Sequence, residues 1–339
     1  MAFKRIDPQL INRLAADLEP AMLDAFLASV NQIKDRVKVG EVEKAIRRGD
    51  IDEAVRLIGF DPLDLRPLVR SIGATFEAGG IATAKAIEKA APKASQLVIR
   101  FDARNPRAET WIGQRSATLV TQIVDDQTNM LRTAMLNGIE KGNGPRTIAL
   151  DLVGRINKTT GNREGGLIGL TSRQEQWQRN YLSELSSDDP KILRRALSRG
   201  LRDKRYDAAI KRAIRDGKPL DAATRNKLIT TYRNRSLRYR GETIARTETL
   251  EALNTGNREA YQQAVDSGSI RAEAVKRFVR TAGDERVRHE HALIPAMNTD
   301  GVGLNNYFAT PDGPYINAPF GVQCRCYVET RVDFLAGVL

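Results

Sequence analysis

Apolar residues recur at three-to-four spacing along most of the chain, a pattern that predicts α-helix. Over residues 8–35 the stripe is Leu10, Ile11, Leu14, Leu18, Leu23, Phe26 and Leu27. Val42, Ala45 and Ile46 mark a short second helix stopped by Gly49, after which Asp50 is placed to cap a third. Glu53, three residues on, completes a capping-box pattern, with Ala54, Val55 and Ile58 on the apolar side. Pro62 and Pro67 bracket a turn, and Leu68, Ile72 and Phe76 open a helix that the pattern ends before Gly79-Gly80. The clearest helix covers 108–140, with Ile112, Leu119, Ile123, Met130 and Ala134 on one stripe and Val120, Val124, Leu131 and Met135 beside it. Lys141-Gly142-Asn143-Gly144-Pro145 terminates it, and a short helix over 146–156 follows.

The Gly-rich stretch Thr160–Thr171 has no Gly-Lys-Ser/Thr ending and no strand before it, so it reads as a connector rather than a nucleotide loop. Thr171 and Gln174 form the cap of the next helix. Asp189-Pro190 starts another, a capping residue followed by a first-turn proline, with Leu193, Ala196, Leu197 and Leu201 as its apolar side. Helix is expected over 221–267, with Gly241 as a candidate break and Gly268 as the left-handed terminator. The period then changes. Val275–Arg280 alternates, Pro295–Gly321 is rich in Gly, Pro and Asn, and Tyr327–Val332 is β-prone. The expected fold class is mainly α, an N-terminal helical bundle with long helices and a small α+β C-terminal module. The expected division is 1–100 N-terminal helical, 101–190 central helical, 191–240 a basic helical arm, and 241–339 the C-terminal module.

Composition narrows the class of protein. No apolar run approaches the roughly 18–20 residues needed to cross a bilayer, and the first residues lack the apolar core of a secretory signal. A soluble protein made in a cytoplasm is expected. Charge is uneven: residues 191–240 hold 17 Lys and Arg against four Asp, a surplus of 13 where the whole chain has +12. Lys191, Arg194, Arg195, Arg199 and Arg202 are followed by Arg233, Arg235, Arg238 and Arg240 interleaved with Tyr232 and Tyr239. That mixture suits phosphate contact with stacking, and these nine cations are the candidate surface for nucleic acid or an acidic protein. The plainer alternative is a solvated helix face.

The only two histidines, His289 and His291, and the only two cysteines, Cys324 and Cys326, lie in one short stretch. A bridge between cysteines one residue apart would be strained, so reduced thiols are expected. Two imidazoles and two thiolates are a suitable set for tetrahedral zinc, although the spacing departs from the usual C-x2–4-C and H-x3–5-H. On strands, each i,i+2 pair would share a face. No Ser-His-Asp, HExxH or paired-carboxylate motif is present, so no enzyme activity and no catalytic residue is expected. Arg246 and Glu248, two apart on a helix, point to nearly opposite sides, and Glu242 with Arg246 is the better-spaced ion pair.

Taken together, Ala245-Arg246-Thr247-Glu248, Asn254, Gly256, Phe278 (where many members carry Trp), Asp284-Glu285-Arg286-Val287-Arg288, His291, Phe308, Pro311, Gly313, Pro319 and Cys324-Arg325-Cys326 resemble the phage Mu F-like minor head proteins of tailed bacteriophages. The resemblance covers about residues 240–332, and Phe101-Asp102 through Leu170-Thr171 is similar to the helical region such proteins carry. The chain departs in Gln323, where the family usually has Asn, and in Arg288 and His291, where some members have cysteines. Arg288 cannot be a metal ligand at neutral pH. The resemblance implies a virion protein at the portal-bearing vertex, with portal, other capsid proteins and phage DNA as partners. It implies residence in the host cytoplasm during assembly. Two alternatives are a host nucleic-acid-binding protein and a metal-dependent enzyme using the His/Cys cluster.

Overall fold

In the computed structural model, which describes residues 3–335, the three-to-four pattern becomes helices α1 (Leu10–Arg36), α2 (Val39–Arg47), α3 (Ile51–Ile58), α4 (Arg66–Ala90), α5 (Pro106–Glu140) and α6 (Pro145–Val153). After them come α7 (Ser172–Leu185), α8 (Pro190–Ala196), α9 (Asp207–Asp216), α10 (Ala222–Asp266) and α11 (His289–Met297). The strands are β1 (Lys4–Arg5), β2 (Arg155–Ile156), β3 (Arg163–Glu164), β4 (Val275–Arg280) and β5 (Tyr327–Val332). The protein is mainly α with a small α+β module towards its C-terminus. No helix among the described residues is long and apolar enough to cross a membrane.

The chain forms two compact units, each assembled from separated stretches. Unit 1 is Met1–Phe26, Pro67–Ala117 and Glu242–Leu339; unit 2 is Leu27–Arg66 and Thr118–Gly241.

In unit 2 most local signals act as read, but of the Asp50/Glu53 capping box only the Asp50 half forms, the Glu53 carboxylate pairing with Arg56. Asp50 accepts the Glu53 N–H at 3.0 Å, and Val42, Ala45, Ile46, Ala54, Val55 and Ile58 are buried. Both halves of the Thr171/Gln174 capping box form, and Asp189 caps α8 through the Lys191 N–H. The Gly-rich stretch is a connector that carries β3, which pairs antiparallel with the two-residue strand β2 before it. Helix α6 ends at Val153, short of the expected 156, because Gly154 turns to φ +97° and Arg155–Ile156 pairs as strand. Tyr181, Leu185, Leu193, Ile210, Leu228 and Tyr232 share one core. Helix α10 runs without a break through Gly241; a helical glycine costs only about 1 kcal/mol relative to Ala, which packing on either side offsets. Gly268, at φ +72°, sits just past its end as expected.

In unit 1, α4 does not stop before Gly79-Gly80. Those glycines permit close approach instead. A Cβ on Gly79 would lie 2.9 Å from the Leu253 carbonyl oxygen, and one on Gly256 would lie 2.2 Å from the Phe76 carbonyl oxygen. Helices α4 and α10 therefore cross backbone to backbone, which any side chain would prevent.

The sheet of unit 1 has the order β1-β5-β4, antiparallel throughout, with Val275 opposite Val332, Arg280 opposite Tyr327 and Lys4 also opposite Val332. Its inner face meets Ile6, Ile87, Tyr261, Ile270 and Leu304 through Val275 and Val332. Alternation along β4 turns Arg277 inward with Val275 and Val279, and its side chain is fully buried. Its guanidinium donates to the carbonyls of Gly303 (3.3 Å), Asn306 (2.6 Å) and Ile316 (2.8 Å) and lies 5.0 Å from the Phe308 ring centre. One buried cation thus fixes the long loop that leads to the cysteines.

Candidate metal centre

Cys324-Arg325-Cys326 runs directly into β5, and its residues alternate in direction. Both cysteines are 2% exposed, while Arg325 turns away to a two-point pair with Asp284 at 2.6 Å. Both cysteines are free thiols. Opposite them is α11. The His-x-His segment is the start of this helix, not a strand, so residues two apart diverge by about 200°. His291 faces inward at 4% exposure, whereas His289 is exposed and outside the cluster. The expected four-ligand set is thereby corrected to three: His291, Cys324 and Cys326, whose donor atoms all lie within 4.8 Å of one another.

The spacing fits a metal. His291 Nδ1 is 3.4 Å from Cys324 Sγ and 3.9 Å from Cys326 Sγ. Tetrahedral zinc with bonds of about 2.0 Å to nitrogen and 2.3 Å to sulfur requires donors about 3.6 Å apart. The Phe320 ring meets the His291 imidazole edge-on at 6.0 Å and fixes its plane. Within the thiol pair, a hydrogen bond from Cys326 pulls Cys324 down to about 5 against the opposing effect of burial, and the same bond pushes Cys326 up. The group can hold a metal ion.

The cluster opens on a cavity of about 240 Å³ whose walls include Arg246, Arg286, Arg288, Gln323 and Arg325. Gln323, in the left-handed region at φ +57°, makes the turn before Cys324. Its N–H donates to Thr247 Oγ1 at 3.1 Å and its side-chain amide to Thr243 Oγ1 at 2.6 Å, tying the cysteine segment to α10. Arg288 donates to the Val322 carbonyl at 2.6 Å, and Arg246 reaches Glu19 at 3.4 Å. Arg246, Thr247, Asp284, Arg288, His291, Cys324, Arg325 and Cys326 therefore gather around one site. Glu248 does not: on another side of α10, it holds a buried two-point pair with Arg115 at 2.6 and 2.7 Å. Thr243 escapes sequence reasoning because a single hydroxyl carries no pattern, and Gln323 shows there only as a departure from the family's usual Asn.

The nine candidate nucleic-acid residues divide. Lys191, Arg194, Arg195 and Arg238 are exposed. The other five are less exposed and hold ion pairs within unit 2. Arg199 pairs with Glu184, Arg202 with Asp207, Arg233 with Asp151, Arg235 with Asp203 and Arg240 with Asp126. Arg240 is buried and also donates to the Gly169 carbonyl at 2.9 Å. Tyr232 is buried against Tyr181, with ring centres 4.5 Å apart, leaving Tyr239 as the exposed ring of the two. Successive helical residues turn by about 100°, so an interleaved stretch faces core and solvent in turn. Arg195, Trp177 and Tyr239 line an open cleft of about 810 Å³.

No family model, curated protein or solved structure matches this chain.

Proposed function

We propose that this is a minor structural protein of a tailed-bacteriophage head, acting at the portal vertex during head assembly or genome ejection. The observation that supports this most is convergence. Arg246, Thr247, Asp284, Arg288, His291, Cys324, Arg325 and Cys326, eight of the residues on which the phage Mu F-like resemblance rests, are gathered from α10, α11 and the segments before α11 and β5 into one site. A chance similarity of scattered motifs would not require them to meet. In this reading the cluster is a structural zinc centre, imidazole and thiolate being ligands that zinc accepts. It would brace the small module for docking on portal or other capsid proteins, with no catalytic turnover. Mass spectrometry of purified virions and procapsids, paired with a portal pull-down, tests this. Detection in particles and capture by portal are expected; absence from both kinds of particle, with turnover of a substrate by the isolated protein, overturns it.

The exposed cations of unit 2 would lie against phage DNA. The division of the arginines sets the expected strength, because only Lys191, Arg194, Arg195 and Arg238 of the nine remain outward. DNA affinity measured against salt should then fall with a log–log slope of about −3 to −4, at about −0.9 per contacted phosphate. A flat profile removes DNA as a partner. Portal capture lost on substituting these cations, with DNA binding kept, puts an acidic protein there instead.

A further inference from the structure

We infer that the open side of the His291–Cys324–Cys326 cluster is a phosphate site, in which a phosphate oxygen completes the coordination of the metal and Arg286 and Arg288 hold the remaining charge. The inference rests on the metal-centre reading above. Three donors leave a tetrahedral ion one position short. No fourth His, Cys, Asp or Glu joins the group among the described residues. His289 is turned to solvent, and the Gln323 amide is spent on Thr243. The fourth position therefore belongs to a molecule entering from the cavity of about 240 Å³.

Charge selects that molecule. Two thiolates and a neutral imidazole cancel a divalent ion, so the centre offers no negative charge to the arginines on the cavity wall. Arg325 is answered by Asp284 and Arg246 by Glu19. Arg286 and Arg288 form no ion pair among the described residues: Arg286 shares the charge of Asp284 with Arg325 only at longer range, and Arg288 donates to the Val322 carbonyl. Four guanidinium groups against the two carboxylates Asp284 and Glu19 leave a surplus of two positive charges, which matches a phosphate monoester carrying between one and two negative charges at neutral pH. A guanidinium fork also matches phosphate oxygens in shape. A water in the fourth position would leave both arginines unanswered. The phosphate could come from free phosphate or from the end of a nucleic-acid strand; the chemistry at the site is the same.

The test uses the full chain loaded with cobalt(II), which takes zinc's place and reports its donors optically. Thiolate-to-cobalt charge transfer should appear first. Adding inorganic phosphate should then shift the ligand-field bands saturably. Arg288→Gln and Arg286→Gln should each weaken that response about tenfold or more, as expected for losing a charge-assisted hydrogen bond. The charge-transfer band should stay unchanged, which shows that the variants keep the site. A 5′-phosphorylated oligonucleotide that binds more tightly than both inorganic phosphate and its unphosphorylated counterpart identifies a strand end as the source; equal affinity with inorganic phosphate identifies the free ion. If no charge-transfer band forms, the metal reading itself fails. If the band forms but phosphate leaves the ligand field untouched, or acetate acts equally well, the phosphate site is overturned and the metal centre stands.

Discussion

Replacing Arg277 by Ala is expected to lower stability by about 3–5 kcal/mol, because three buried carbonyls lose their donor at about 1–3 kcal/mol each. The residue has no carboxylate partner among the described residues. Its charge is held by three carbonyls, at Gly303, Asn306 and Ile316, and by the face of Phe308. Burial, reinforced by Arg258, pushes its guanidinium down to about 9, which still leaves it protonated at neutral pH. Removing it leaves three buried acceptors without a donor, and the loop between β4 and the cysteines loses its tie. Lys at this position keeps the charge but not the planar fork, so Arg277→Lys should recover little of the loss. Urea unfolding of the wild type and both variants reads the effect. A loss below about 1 kcal/mol in Arg277→Ala would mean that the loop is held by other contacts.

The second large effect depends on pH. Glu251, on α10, is pushed up to about 7, first by burial, with Glu248 adding to the shift and Arg115 opposing it. Arg115 is already committed to Glu248 through two hydrogen bonds. The sign follows from comparing the folded value with the ordinary 4.5. Because the folded value is the higher, folding favours the protonated acid. Its contribution is complete below 4.5 and is lost as pH rises through about 7. Glu251→Gln should therefore gain up to about 3 kcal/mol over the wild type at pH 8, with the two proteins converging near pH 4. Asp7, Asp203, Asp207, Asp266 and Asp284, all held low chiefly by hydrogen bonds to neighbouring side chains, shift stability in the opposite sense at acid pH. They act equally on both proteins, so the difference between the two urea midpoints across pH isolates Glu251. A difference that does not change between pH 4 and 8 would remove this assignment.

These two residues also mark where reading the chain runs out. Helices were legible because burying one face imposes a period, and caps were legible because Asp50, Thr171 and Asp189 act on backbone only two or three residues away. Glycine is ambiguous. Gly79-Gly80 resembles a helix end, but the backbone of α10 passes close by, and only the fold reveals which use applies. The surplus of positive charge in 191–240 was visible, but its disposition was not. Asp126, Asp151 and Glu184, which pair with Arg240, Arg233 and Arg199, all lie outside that window. At the cluster, composition brought together the right elements, His and Cys, and missed only the geometry. Once residues 289–297 form a helix, one of two neighbouring histidines must leave. Arg277 gave no sign, since an arginine in an alternating strand looks like a solvent-facing position.

The strand formed by Lys4 and Arg5 lies along the free edge of β5, and the Ile6 N–H donates to the Thr330 carbonyl at 3.0 Å. The last strand among the described residues, β5, thus lies between β4 and one made more than 300 residues earlier. A fragment cut at residue 241 would carry the cysteines and α11 yet leave β5 with a bare row of backbone donors and acceptors, an invitation to self-association. Changing the residues around Lys4 and Arg5 would disturb β5, and a ribosome must pass residue 332 before this seam can close.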